Sequence, residues 1–139
     1  MAKALSSTLQ RRLATGARQA ARRAYAPYSK FRVGAAVLAG SGKVYTGCNV
    51  ENASYGLCNC AERTAIFTAI AAGEERITRI VVYTPTATAT TPCGACRQVI
   101  NEFGPGAGVL CLCDSDETIE TTLDALLPAA FGPAQLQSE

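Results

Sequence analysis

Two short segments constrain this chain more than anything else in it: Cys60-Ala61-Glu62 and Pro92-Cys93-Gly94-Ala95-Cys96. Each opens a stretch with helical periodicity, and a β-branched run, Ile77–Tyr83, lies between them. Cys93 and Cys96, three residues apart at a helix opening, project from one side of one turn. Thiols at helix N-termini sit beside unsatisfied N–H groups and the positive end of the dipole, which favours thiolate. Three thiolates gathered by two adjacent helix starts make a zinc site with its fourth position open. Glu62 follows a ligand by two residues, so it can face that open position without binding the metal. Zinc brings the pKa of a coordinated water toward ~7, and a carboxylate within reach can take that proton and pass it on.

Composition narrows the alternatives. The chain has no histidine, which excludes every mechanism that needs imidazole as base, acid or ligand. It has seven cysteines, Cys48, Cys58, Cys60, Cys93, Cys96, Cys111 and Cys113, and no apolar leader before Arg11 and Arg12. A cytoplasmic protein is expected, where thiols serve metal or thiol chemistry rather than disulfides. A lone C-x-x-C would suit a redox pair or half a zinc ribbon equally well. Its pairing with C-A-E favours the open zinc site, because a closed four-sulfur knot completed by Cys58 or Cys48 has no use for Glu62. A shifted set of Cys58, Cys93 and Cys96 would leave Glu62 a full turn away. A non-catalytic zinc module is a third possibility, against which the intact Glu62 speaks.

At 139 residues the chain fits one domain over 1–139, with no apolar run near the ~20 residues that cross a bilayer. Charge is unevenly spread: residues 1–50 carry nine Lys/Arg and no acid (+9), and the remainder four Lys/Arg against eleven acids (−7). The basic first helix reads either as a nucleic-acid face or as a solvated surface that meets an acidic surface of another subunit. The second is favoured, since its arginines are not interleaved with base-stacking aromatics. Along the chain the patterns predict a helix over Leu5–Ala24, a hairpin of Phe31–Ala39 and Lys43–Cys48 around Gly40-Ser41-Gly42, and a helix over Cys60–Ala72. Then come a strand at Ile77–Tyr83, a helix over Cys93–Phe103, a strand at Val109–Cys113 and a short helix at Thr122–Leu127. That order predicts an α/β layer fold with a mostly parallel or mixed sheet.

Five segments together resemble the small homotetrameric zinc-dependent cytidine deaminases. They are Phe31-Arg32-Val33-Gly34-Ala35-Ala36, Gly47-Cys48-Asn49-Val50-Glu51-Asn52, Cys60-Ala61-Glu62-Arg63-Thr64-Ala65, Pro92-Cys93-Gly94-Ala95-Cys96-Arg97-Gln98-Val99 and Leu126-Leu127-Pro128-Ala129-Ala130-Phe131-Gly132. The resemblance runs from about Ala24 to the tail. It implies a three-layer α/β/α fold with a mixed five-stranded sheet, one zinc ion per subunit, and a homotetramer with active sites shared between subunits. It implies hydrolysis of cytidine and 2′-deoxycytidine to uridine and 2′-deoxyuridine with release of ammonia, in pyrimidine salvage. By position, it implies Cys60, Cys93 and Cys96 as zinc ligands and Glu62 as the proton shuttle. Asn49 and Glu51 would hold the ribose hydroxyls, and the Ala61 N–H would face the base carbonyl. Phe31 and Phe131 would wall the pocket, with Phe131 and Tyr55 reaching in from neighbouring subunits, and Arg63 would donate to the ligand sulfurs.

Two other deaminations compete. One acts on another aminopyrimidine or an antibiotic nucleoside of the blasticidin type; Asn49 and Glu51 argue instead for an ordinary ribose, since together they donate to and accept from adjacent hydroxyls. The other acts on RNA or DNA. Glu51 speaks against it, because a 3′-phosphate would meet a carboxylate in a desolvated site. The expected partner is a free nucleoside, with no nucleic acid and no membrane.

Overall fold

The computed structural model describes residues 6–137. Helix α1 (Ser7–Ala21) starts at Ser6, whose hydroxyl accepts from the Leu9 N–H at 3.2 Å. It buries Leu13, Ala17, Ala20 and Ala21 and leaves Arg11, Arg12 and Arg18 exposed. It ends three residues before the expected Ala24, and the expected start at Leu5 lies outside the described residues. Strands β1 (Gly34–Ala39) and β2 (Val44–Cys48) pair antiparallel as the predicted hairpin. Phe31–Val33 leads into β1 without joining it. Helix α2 (Ala61–Ala71) and helix α3 (Gly94–Phe103) start one residue late, because Cys60 and Cys93 are their N-caps. Strand β3 (Ile77–Tyr83) has the expected bounds and β4 (Gly108–Leu112) is shifted back by one residue.

The residue patterns missed β5 (Ile119–Thr122), the strand that makes the sheet five-stranded; at four residues it is too short for a period to be read from its sequence. The short final helix is α4 (Leu123–Leu126). The sheet order is β2-β1-β3-β4-β5, mixed, with β3 and β4 the one parallel pair.

Alternation along the strands sorts the core into two layers of contact. Ala35, Val37, Ile80, Val82, Val109 and Cys111 face α2, α3 and α4, packing on Ala65, Ile66, Ile100 and Leu123. Ala36, Leu38, Val81 and Leu112 face α1 through Leu13 and Ala17. Helices therefore cover both faces, giving the three-layer arrangement. Two glycines allow the close approach. A Cβ on Gly34 would sit 1.8 Å from the Ala17 carbonyl oxygen, and one on Gly47 would sit 2.3 Å from the Ala65 nitrogen. On the α1 face, Arg18 donates to the Cys113 carbonyl at 3.4 Å and lies 4.9 Å over the Tyr83 ring. No described helix is long and apolar enough to cross a membrane.

Candidate active site

The starts of α2 and α3 meet at the C-terminal end of β3. Cys60 caps α2, Cys93 caps α3, and Cys96 stands in the first turn of α3. Their sulfurs lie within 4.8 Å of one another, with Cys60 and Cys93 4.0 Å apart. Cys96 is fully buried, Cys60 partly so and Cys93 exposed, so the cluster is closed on the protein side and accessible on the other. Arg63 donates from Nη2 to the Cys60 sulfur at 3.2 Å. The Cys96 thiol, Arg63 and Cys93 all favour the Cys60 thiolate and hold its pKa far below the usual thiol range. The same exchange raises Cys96. Three soft donors, one of them favoured as thiolate and one facing outward, fit a zinc ion with an open position.

The other four cysteines stand apart from this group. Cys58 accepts from the Asn52 N–H at 3.3 Å and donates to its carbonyl at 3.6 Å. Cys111 and Cys113 are buried, and burial pushes the Cys111 thiol up to about 11. Among the described residues, the one group able to hold a metal contains neither Cys58 nor Cys48. The shifted ligand set and the four-sulfur knot thus lack the geometry they need.

A cavity of about 250 Å³ opens onto the sulfurs. Its lining divides by element: the two helix starts, here called its inner end, contribute Cys60, Cys93, Ala61 and Glu62, the last two buried. Glu62 is 5% exposed; burial pushes it up to about 7, with the Cys60 charge adding to the rise and Arg63 opposing it. The loop segments, here called its outer end, contribute Phe31, Asn49, Glu51 and Ser29, all partly or fully exposed. The Asn49 amide donates to the Phe31 carbonyl at 2.7 Å and accepts from the Val33 N–H at 2.8 Å. Glu51 accepts from the Tyr28 and Ser29 N–H groups at 3.0 and 3.1 Å and from the Ser29 hydroxyl.

Of the three aromatic residues singled out, Phe31 lines this cavity, while Phe131 and Tyr55, expected to reach into neighbouring subunits' pockets, do not line this chain's own. Tyr55 is 73% exposed on a 3₁₀ turn, its ring 6.0 Å from that of Tyr28, and Phe131 is 56% exposed in the C-terminal segment.

Sequence reading did not single out several residues that build this site. Thr84, Thr90 and Thr91 line one wall with Val82 and Val33. Arg97 donates to the Pro92 carbonyl at 2.8 Å, the Thr91 hydroxyl at 2.9 Å and the Leu126 carbonyl at 2.9 Å, fixing the turn before Cys93 against the C-terminal segment. Gln98 and Asn101 both donate to the Phe131 carbonyl, at 2.8 and 3.2 Å. Arg97 and Gln98 fall within the motif segment 92–99 with no role read for them, and Asn101 lies about two turns along the helix that Cys93 opens.

Comparison with known proteins agrees with this geometry. Residues 7–112 match the family model of the cytidine and deoxycytidylate deaminase zinc-binding region. The cytidine deaminase of Sporosarcina psychrophila is 46% identical over 126 residues, which is 90% of this chain and 93% of that protein. That of Halalkalibacterium halodurans is 49% identical over 81% of this chain and 86% of its own. The crystal structure of cytidine deaminase from Burkholderia pseudomallei superposes with a TM-score of 0.85 at 47% identity, covering 91% of this chain and all of that one. With a sulfur trio and a buried glutamate at the floor of its cavity, and relatives this similar along nearly its whole length, the chain belongs to the cytidine deaminase family.

Proposed function

We propose that this protein is a zinc-dependent cytidine deaminase that converts cytidine and 2′-deoxycytidine to uridine and 2′-deoxyuridine with release of ammonia, serving pyrimidine salvage. The observation that carries this reading is one cavity with two chemically different ends: sulfurs and Glu62 inside, Asn49 and Glu51 outside. A pyrimidine nucleoside needs that division, its reacting ring carbon beside the metal and its sugar hydroxyls beside donors and acceptors.

Cys60, Cys93 and Cys96 would hold the zinc. When bound, it supplies a Lewis acid that makes water acidic near neutral pH. Everything else falls to the chain. Glu62 takes the proton that water gives up as its oxygen adds to C4 of the ring. It returns that proton to N3, then takes the remaining water proton from the new C4 hydroxyl and carries it to the amine, so that the C4–N bond breaks, a C4 carbonyl forms, and the products are uridine and ammonia. Burial that holds Glu62 near neutrality suits a group that must both accept and donate. Asn49 and Glu51 hold the sugar hydroxyls, the Ala61 N–H faces the base carbonyl, and the Phe31 ring walls the sugar end. Arg63 draws charge from the Cys60 sulfur, which offsets the excess negative charge that three thiolates bring to the site.

The whole chain, 1–139, acts as one domain on this reading, and it works in the cytoplasm as a homotetramer with shared active sites. All seven cysteines are free, as a reducing compartment requires. Exposed Tyr55, Leu57, Phe67 and Phe131 supply apolar surface for other subunits, and Arg63 Nε is buried with no hydrogen-bond partner among the described residues. Sedimentation velocity should give four chains per particle. A spectrophotometric assay with cytidine, run beside zinc quantification, tests the activity. One zinc per chain and conversion to uridine are expected; a zinc-loaded protein inert on cytidine would overturn the reading.

A further inference from the structure

The Glu51 carboxylate is almost fully engaged before any ligand arrives. An ionised carboxylate offers about four lone-pair sites. Oε1 accepts two N–H groups, from Tyr28 and Ser29, and Oε2 accepts the Ser29 hydroxyl. One site on Oε2 is left. The Ser29 oxygen itself accepts from the Phe31 N–H at 3.0 Å, which fixes the direction of the relay: Phe31 N–H to Ser29 oxygen, Ser29 O–H to Glu51. Ser29 also lines the cavity.

The backbone holding this arrangement is strained. Lys30, between Ser29 and Phe31, has a φ of +61°, a left-handed conformation rare for a residue with a side chain. It is kept there by the Lys30 N–H donating to the Ala26 carbonyl at 3.0 Å and by the contacts of its two neighbours. Such strain persists only where surrounding structure fixes it, and here it turns the Ser29 hydroxyl toward Glu51 while leaving the Phe31 carbonyl for Asn49.

We propose that Ser29 is a positioning residue that sets sugar specificity: it aims Glu51 so that one lone pair alone faces the nucleoside, and a ligand must present a hydroxyl donor there. This rests on the reading of Glu51 as a sugar contact. A sugar without that hydroxyl leaves the lone pair without a donor from the ligand, and a phosphorylated one brings a second anion to it. Ser29 acts through Glu51 and touches no reacting atom, so its removal weakens binding and spares the chemical step.

The test is steady-state kinetics on the intact protein with cytidine and with 2′,3′-dideoxycytidine. Ser29→Ala should raise KM for cytidine about tenfold with kcat within about twofold of the parent, the size expected for one hydrogen bond to a charged group. It should also narrow the preference for cytidine over the dideoxy analogue, and Ser29→Thr, which keeps the hydroxyl, should restore both. Should Ser29→Ala fail to fold, Ser29→Cys, with a weaker donor of similar size, should give a smaller rise in the same direction. Glu51→Gln separates the two layers of the argument. If it leaves KM and the preference unchanged, the sugar-contact reading fails whatever Ser29 does. If it raises KM and Ser29→Ala then adds its full effect on top, Ser29 is not acting through Glu51 and the proposal is overturned. Unchanged KM in Ser29→Ala, or an equal fall in kcat that Ser29→Thr does not rescue, would overturn it as well.

Discussion

Glu62 and Glu51 line the same cavity and are held on opposite sides of the ordinary carboxylate value. Glu62 sits on the first turn of α2, sealed from water, and burial raises it to about 7. Glu51 sits on an irregular segment at the mouth, and the Ser29 hydroxyl, two backbone N–H groups and the Lys30 charge lower it. The difference is one of task. A group that moves protons must be able to hold one near neutral pH, whereas a group that binds a hydroxyl must stay charged. The inner end takes its precision from two helix starts. The outer end depends on hydrogen bonds between loops and leaves Tyr55 and Phe131 facing outward.

The sharpest way to break this contrast is to remove the inner carboxylate. Glu62→Ala should lower kcat by about 10²–10⁴, the range for loss of a positioned acid–base group, while zinc stays at one ion per chain. Elemental analysis beside the assay checks it. Zinc lost together with activity would mean that Glu62 helps to hold the metal, and the division of labour between sulfurs and carboxylate would be wrong.

Arg97→Ala should come next. It strips donors from the Pro92 and Leu126 carbonyls and from the Thr91 hydroxyl at once. A loss of about 2–3 kcal/mol of stability is expected from buried groups left unpaired, with zinc bound about 10–100-fold more weakly as the Cys93 turn loosens. Urea unfolding and chelator competition measure the two. Unaltered zinc affinity in a destabilised protein would show that the turn holds its shape without this brace.

The inner end was legible in the sequence because its information is local. Cys60, Glu62, Cys93 and Cys96 are placed by helix starts, and a helix start can be read from a few residues. Strand β3 was legible as well, because its β-branched run has the bounds the pattern predicts, whereas the sorting of its side chains into two layers came from the structure. What failed was non-local or short. Arg97 finds Leu126 at a separation of 29 residues, and Ser29 finds Glu51 at 22. Neither separation leaves a period in the sequence. Strand β5 is recognised by its pairing with β4, not by its own composition.

A substitution at the open rim sharpens the comparison from the other side. Phe131→Ala removes a ring that is 56% exposed and outside this chain's own cavity. The midpoint of thermal unfolding should shift by no more than about 2 °C for the chain itself, as exposed positions allow. Activity should fall severalfold through KM if the ring completes a neighbouring subunit's pocket. The measurement is kcat and KM beside the sedimentation profile. An unchanged KM in an intact tetramer would remove Phe131 from the shared site.

The smallest effect probes the outer carboxylate by acid. The folded pKa of Glu51 lies below its ordinary value of 4.5, so its ionised-state contacts stabilise the fold at pH above 4.5. That contribution disappears as pH falls through the depressed value, where the folded carboxylate at last takes a proton. Ser29→Ala removes the largest cause of the depression, which moves the folded pKa back toward 4.5. The variant should therefore be less stable than the parent at neutral pH, with the gap closing as the solution is acidified past the carboxylate range. Urea midpoints of parent and variant across that range read the gap directly, and because the Glu51 contacts are open to solvent the change should be small and shrink further in salt. A gap of constant size from neutral to acid pH would mean that Ser29 stabilises the loop without regard to the charge on Glu51, and the two ends of the cavity would then differ in burial alone.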